Sequence, residues 1–203
     1  FHPADLSDQP VQVNLGVAED FSADDGPMTY ILSKPFAAAG REHQRITVHN
    51  KYYDPQAAPE GKSAITVFLD SEYNWWKNLE TDRLLYQAEK ERCAENVIAA
   101  INQHHPGFRE RVEVIEVSTP LTRERYTGNW MGAMQARKPS SNMIAALMQG
   151  SPRYAVKGVE GLYAAGQWVE AWGGITTAAQ SGRKAVQAIC KRDGIRFKTS
   201  IPG

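Results

Sequence analysis

The chemistry this sequence can offer a ligand is concentrated between Gly158 and Gly194. Within that stretch, residues 166–174 hold three glycines and two tryptophans, preceded by the short apolar run Leu-Tyr-Ala-Ala at 162–165. An apolar run bracketed by glycines predicts a buried strand. From Ile175 the spacing turns helical, with Ile175, Ala179, Gly182, Val186 and Ile189 on one face, and the pattern stops at Asp193-Gly194. The first turn of a helix leaves backbone N–H groups without internal partners and carries partial positive charge, so an anionic or electron-rich ligand edge can dock there. Gly173 and Gly174 would let a ligand approach the backbone, and Ala178, Ala179 and Gly182 would let the helix lie close to it. The spacing matches neither the dinucleotide fingerprint nor the phosphate-loop consensus. On spacing alone, a cofactor loop and an ordinary strand-to-helix connection are both open.

Elsewhere the chemical signals are sparse. No paired carboxylates, serine elbow or Cys/His arrangement stands out, so no nucleophile or general base is assigned. Cys93 and Cys190 are far apart in expected helices and read as buried small hydrophobes. The five histidines are scattered and no Cys-x-x-Cys occurs, so no metal site is expected. His104-His105 precedes Pro106-Gly107 and reads as a solvated helix end. His49 can be a chemical group or a strand-end histidine satisfied by backbone. The aromatic group Tyr73, Trp75 and Trp76 can line an apolar channel or pack a join between sheet and helix. Lys plus Arg equals Asp plus Glu, at 23 each, which gives no basic field for nucleic acid. No apolar run nears the roughly 20 residues that span a bilayer. The expectation is a soluble, cytoplasmic protein, with peripheral membrane contact left open.

The elements that must position these residues read as follows. Alternating runs at 11–17, 28–32, 45–50 and 63–69 predict four strands of an antiparallel sheet, with Ile65, Val67 and Leu69 on one face. Residues 79–103 predict a long helix started by Thr81, with an inner stripe of Cys93, Ala94, Val97, Ile98 and Ile101 and an outer face of Lys90, Glu91, Arg92 and Glu95. A further strand is expected at 112–117. Residues 119–130 read as a polar loop able to meet a ligand or a second domain, and 132–157 as a punctuated link.

Three separated stretches carry a family resemblance. Gly161-Leu162-Tyr163-Ala164-Ala165-Gly166-Gln167-Trp168 with Gly173-Gly174-Ile175 and Ala179-Gln180-Ser181-Gly182-Arg183 is similar to the carboxy-terminal FAD-contacting motif of the phytoene-desaturase-like flavoproteins, which include carotenoid desaturases, carotenoid isomerases and retinol saturase. Val48-His49-Asn50-Lys51-Tyr52-Tyr53-Asp54 with Ala58-Pro59-Glu60-Gly61-Lys62-Ser63, and Thr119-Pro120-Leu121-Thr122 with Arg125-Tyr126-Thr127-Gly128-Asn129, resemble the same family in the same order.

The resemblance implies an α/β flavoprotein seen in part. It implies an antiparallel substrate-domain sheet with helices over 1–135, roofing the flavin, and over 136–203 the carboxy-terminal strand, loop and helix of a glutathione-reductase-type FAD-binding domain. The amino-terminal Rossmann half that holds the FAD pyrophosphate would be a partner supplied by the same polypeptide, since no Gly-x-Gly-x-x-Gly after a strand occurs here. The chain opens at Phe1 without a methionine, which fits a segment of something longer. Gly166 and Gln167 match the ribityl and phosphate side of the flavin, and Gly173, Gly174 and Ile175 the turn that faces the pyrimidine edge; Thr176 joins them as a candidate cofactor contact, and Trp168 as one near the ring or substrate. Trp172, Tyr126 and Trp130 are candidate substrate-lining residues. The implied reaction is hydride transfer from an apolar, polyene-like small molecule to FAD, or a flavin-dependent isomerisation. The chain alone would be inactive and bind FAD weakly or not at all. Glu170-Ala171-Trp172 departs from the His-Pro pair common in the family and leaves the substrate open. Two other readings stand beside this one: a non-catalytic ligand-binding or interaction module derived from the fold, and an amine-oxidase-like flavoenzyme.

Overall fold

The structure is a computed structural model describing residues 3, 6–21, 26–51, 53–138, 154–169 and 173–199. The chain divides into two compact units, Asp8–Met134 and a second made of Phe1–Ser7 with Gln135–Gly203.

The first unit is built on β1 (Val11–Val17), whose alternating Val11, Val13, Leu15 and Val17 are all buried. It pairs antiparallel with β4 (Ser63–Leu69) on one side and β5 (Val112–Ser118) on the other. The register sets Val11 beside Leu69, Val13 beside Val67 and Leu15 beside Ile65, so both strands offer one continuous apolar face. β2 (Met28–Ala38) and β3 (Arg41–Asn50) extend the sheet to the order β2-β3-β4-β1-β5, an antiparallel α+β arrangement. β2 runs longer than residues 28–32 because Pro35 falls at a register shift of an edge strand, where a missing N–H costs no ladder bond.

The expected long helix starts four residues later, at Arg83, and a separate short helix precedes it. α1 (Tyr73–Leu79) ends before Thr81, whose hydroxyl donates to the Asn78 carbonyl. α2 (Arg83–His104) is capped by Asp82, which accepts from the Leu84 and Leu85 N–H groups at 3.0 and 3.1 Å. Aspartate one residue later competes better for the free N–H groups. The stripe Cys93, Ala94, Val97, Ile98 and Ile101 is buried as expected, and α2 packs on β1, β2 and β5. Trp76 is fully enclosed, edge-on to Trp75 and Tyr86 at 5.0 and 5.4 Å, so this aromatic group packs the core. A short α3 (Phe108–Arg111) buries Phe108.

Glu89 of α2 is buried, although it is charged. Its carboxylate accepts from the Ala39 N–H at 2.7 Å and pairs with Arg92. It thereby holds the β2–β3 turn, in which Ala39 adopts a left-handed φ of 56° and Gly40 follows at 76°. A Cβ on Gly40 would lie 2.7 Å from the Trp75 ring. His105 is likewise not merely solvated. Its Nε2 is 2.6 Å from the Tyr30 hydroxyl, while His104 stacks on the Tyr30 ring.

Residues 119–130 are not a loop. α4 (Pro120–Thr127) opens with Thr119 accepting from the Thr122 N–H at 3.2 Å, carries proline in its first turn, and ends on left-handed Gly128. The helix is short and polar, specified by its caps with no apolar stripe to betray it.

In the second unit, 162–165 is not a strand of a sheet. It is one arm of a tight hairpin in which Tyr163 bridges Ala155, the Val156 N–H donates to Leu162 O at 2.9 Å and the Ala164 N–H donates to Tyr154 O at 2.8 Å. Left-handed Gly158 and Gly161 make its turn. A buried strand needs partners for its backbone on both sides, and among the described residues 162–165 is paired with this one arm only. The helix here, α5 (Ile175–Arg192), has the expected bounds. Its face is not the expected one: Ser181 and Ala185 are buried, whereas Ile175 is 90% exposed and Val186 stands outward. Cys93 is enclosed, but Cys190 on α5 is only half-buried.

Candidate functional site

The glycine turn and the start of α5 belong to one unit, and the structure brings several of the expected residues together there. Gly174 is the residue before α5, with φ 92° and ψ 164°, a conformation essentially reserved for glycine, and no side-chain hydrogen bond caps the helix. The Ala178 N–H bonds Gly174 O at 3.0 Å, closing the first turn. Glycine at the capping position offers no side chain to the N–H groups ahead of it, and no acidic residue sits in that turn. Nothing lies within 4 Å of the position a Gly174 Cβ would take, whereas a Cβ on buried Gly173 would meet Gln135 Cβ at 2.8 Å. Gly173 therefore serves packing and Gly174 faces open space. Ile175 and Thr176 are exposed beside it.

Gly166 is tied to the same helix. Its N–H donates to Ser181 Oγ at 2.7 Å, and that hydroxyl donates to Ala178 O at 2.6 Å. Ser181 is 0% exposed. It is the residue that sequence reasoning missed, although it sits within the quoted motif. A serine one turn inside a helix with an alanine on either side of the buried line was the available signal. Gln167 and Trp168 are half-buried and both engaged in contacts. Trp172 lies outside the described residues.

Tyr126 and Trp130 belong to the first unit. Tyr126 is 81% exposed on α4, and Trp130 opens a 3-10 turn, Trp130–Gly132, in which Met131 and Gly132 both have left-handed φ. That turn is held by two side chains of α4. Glu124 accepts from the Met131 N–H at 2.9 Å and from the Tyr73 hydroxyl at 2.6 Å. The Arg123 guanidinium donates to Gly132 O at 2.9 Å and to Pro10 O at 3.2 Å. Burial, reinforced by the Glu124 carboxylate, pushes the Tyr73 phenol up to about 12, and burial holds the Arg123 guanidinium below its ordinary value.

The sheet face away from α2 is polar. Asn14 accepts from Gln12 and Thr66, each at 2.9 Å, and donates to Glu116 at 2.5 Å. His49 stands on that face, edge-on to Phe68 at 5.6 Å, at a cavity of about 210 Å³ shared with Lys51, Tyr53 and Thr66. Among the described residues no group of three His, Cys, Asp or Glu side chains is placed to hold a metal ion. No helix there is long and apolar enough to cross a membrane.

No family model matches the sequence. Individual relatives do. Prolycopene isomerase 1, chloroplastic, of an Oncidium hybrid cultivar is 26% identical over 149 residues, 73% of this chain and 24% of its own length. Prolycopene isomerase, chloroplastic, of Daucus carota is 24% identical over 155 residues, again 73% of this chain. The all-trans-retinol 13,14-reductase of Danio rerio is 25% identical over 118 residues, 56% of this chain and 19% of its own length. Over the matched region the chain is similar to carotenoid isomerases and a retinol reductase. It spans about a quarter of the length of the isomerases it matches. The similarity therefore covers a partial region of those proteins.

Proposed function

We propose that this chain is the substrate-domain and carboxy-terminal portion of an FAD-dependent oxidoreductase acting on an apolar, polyene-like small molecule. The observation that carries the reading is Gly174: a glycine-only conformation, open space where a Cβ would be, and an uncapped helix start directly behind it. These residues fit a flavin edge, because unpaired N–H donors and helix polarity favour an electron-rich, anionic rim. Bound FAD supplies hydride acceptance, or in its reduced state supports isomerisation without net oxidation.

The chain's own residues do the rest of the work in this reading. The N–H groups of Ile175 and Thr176 stabilise negative charge on the ligand rim. Ser181 fixes Gly166 against α5 so that Gln167 and Trp168 follow in a set place. Tyr126 and Trp130, both exposed in the first unit, are the candidate substrate contacts. The remaining half of the cofactor site would come from residues beyond this chain, in keeping with relatives about four times the matched length. A cytoplasmic setting at the periphery of a membrane belongs to the same reading, since an apolar substrate is stored in lipid.

The test is the visible absorption spectrum of the complete natural gene product, purified without added cofactor. A flavin band that bleaches anaerobically with dithionite is expected, and Gly174→Val should lower its occupancy. A colourless full-length protein that also takes up no added FAD would overturn the reading. The isolated 203-residue chain is expected to bind FAD weakly, and tight binding in a calorimetric titration would contradict a site completed from outside.

A further inference from the structure

The start of α2 carries a combination of side chains that the fold leaves unused. Leu84 is 83% exposed and Leu85 57%, while the core stripe of the same helix begins farther along, at Glu89 and Cys93. Leu84 lines a groove of about 780 Å³ together with Glu80, Arg83, Tyr86, Lys90 and Arg125. The three cations of that groove have no carboxylate partner among the described residues. Its one carboxylate, Glu80, is taken by Lys77 at 2.6 Å. The neighbouring Asp82 is occupied in capping the helix.

An acidic protein would account for the cations and leave the leucine pair unexplained. A bilayer surface accounts for both: exposed apolar side chains enter the boundary between headgroups and acyl chains, and arginine and lysine lay their stems along it with their charges at the headgroups. We propose that the groove formed by the first turns of α2 with Arg125 of α4 docks on a bilayer containing anionic lipid, with Leu84 and Leu85 inserted and Arg83, Lys90 and Arg125 against the headgroups. The proposal rests on the membrane-peripheral setting of the proposed function and adds the surface that meets the lipid.

The experiment is flotation of the full chain with vesicles of phosphatidylcholine containing phosphatidylglycerol and with vesicles of phosphatidylcholine alone. Binding to the anionic vesicles, falling as salt is raised, is expected. Removing one cation near such a surface lowers partitioning about fivefold, so Arg83→Gln with Arg125→Gln should lower it about 25-fold. Leu84→Ser with Leu85→Ser should abolish it. Ile31→Ser, which removes a side chain 79% exposed on β2, should leave it unchanged. The substitutions are all at exposed positions, and circular dichroism confirms that each variant is folded. The proposal is overturned by absence of binding to either vesicle, by equal binding to both, by wild-type binding of the leucine pair variant, or by an equal loss in Ile31→Ser.

Discussion

Replacing Ser181 by alanine should unfasten Gly166 from α5. The hydroxyl is 0% exposed, accepts the Gly166 N–H at 2.7 Å and donates to Ala178 O at 2.6 Å. The Ala178 carbonyl keeps its place in the helix ladder, so the main loss is the Gly166 N–H, left without its acceptor. Such a loss costs about 1–3 kcal/mol. Alanine is the better helix former and returns about half a kcal/mol. The net local destabilisation is then about 0.5–2.5 kcal/mol, or about 2–70-fold in the opening equilibrium. Amide hydrogen exchange reads this directly: the Gly166 amide should exchange about 2–70-fold faster, while amides of β1 in the other unit keep their rates. An unchanged Gly166 rate in a folded Ser181→Ala protein would refute the argument that this hydroxyl holds the turn to the helix.

Other expectations follow from the same geometry. Gly132→Ala would set a Cβ 2.1 Å from Pro120 O in a left-handed backbone. Overpacking and strain together should cost about 2–4 kcal/mol, seen as a lower urea midpoint. Tyr73 has its pKa raised from 10.0 to about 12, so its neutral form is favoured by the fold. The stability it contributes is complete below pH 10, is lost as pH climbs towards about 12, and should vanish from the alkaline unfolding profile in Tyr73→Phe. Tyrosinate absorbance of the wild-type protein should show one group titrating late. Burial, helped by nearby Glu89, pushes the Cys93 thiol up to about 12, whereas Cys190 is half-buried. A thiol reagent should label Cys190 in the native protein and reach Cys93 only on unfolding; rapid labelling of both would contradict the packing around α2.

Local pattern was enough wherever one face of an element meets one core. The alternation in β1 and β4 and the inner stripe of α2 were legible because a strand or helix with a single buried side must repeat its apolar residues at its own period, and the bounds of α5 because glycines flank both its ends. The glycine turn was legible too, since Gly174 adopts a conformation that no other residue holds cheaply. Only tertiary structure decided the rest. α4 is fixed by a threonine cap, a proline and a left-handed glycine, signals that a polar stretch shares with many turns. The hairpin arm at 162–165 has strand composition, but pairing depends on what lies alongside, and Ala155 supplies a single bridge. The burial of Glu89 depends on a β-turn about fifty residues earlier that needs an acceptor for the Ala39 N–H. Which side of α5 is covered was likewise beyond its own periodicity: Ser181 and Ala185 turn inward because the Gly166 N–H waits there for a hydroxyl, and the more apolar line from Ile175 to Val186 is left outward.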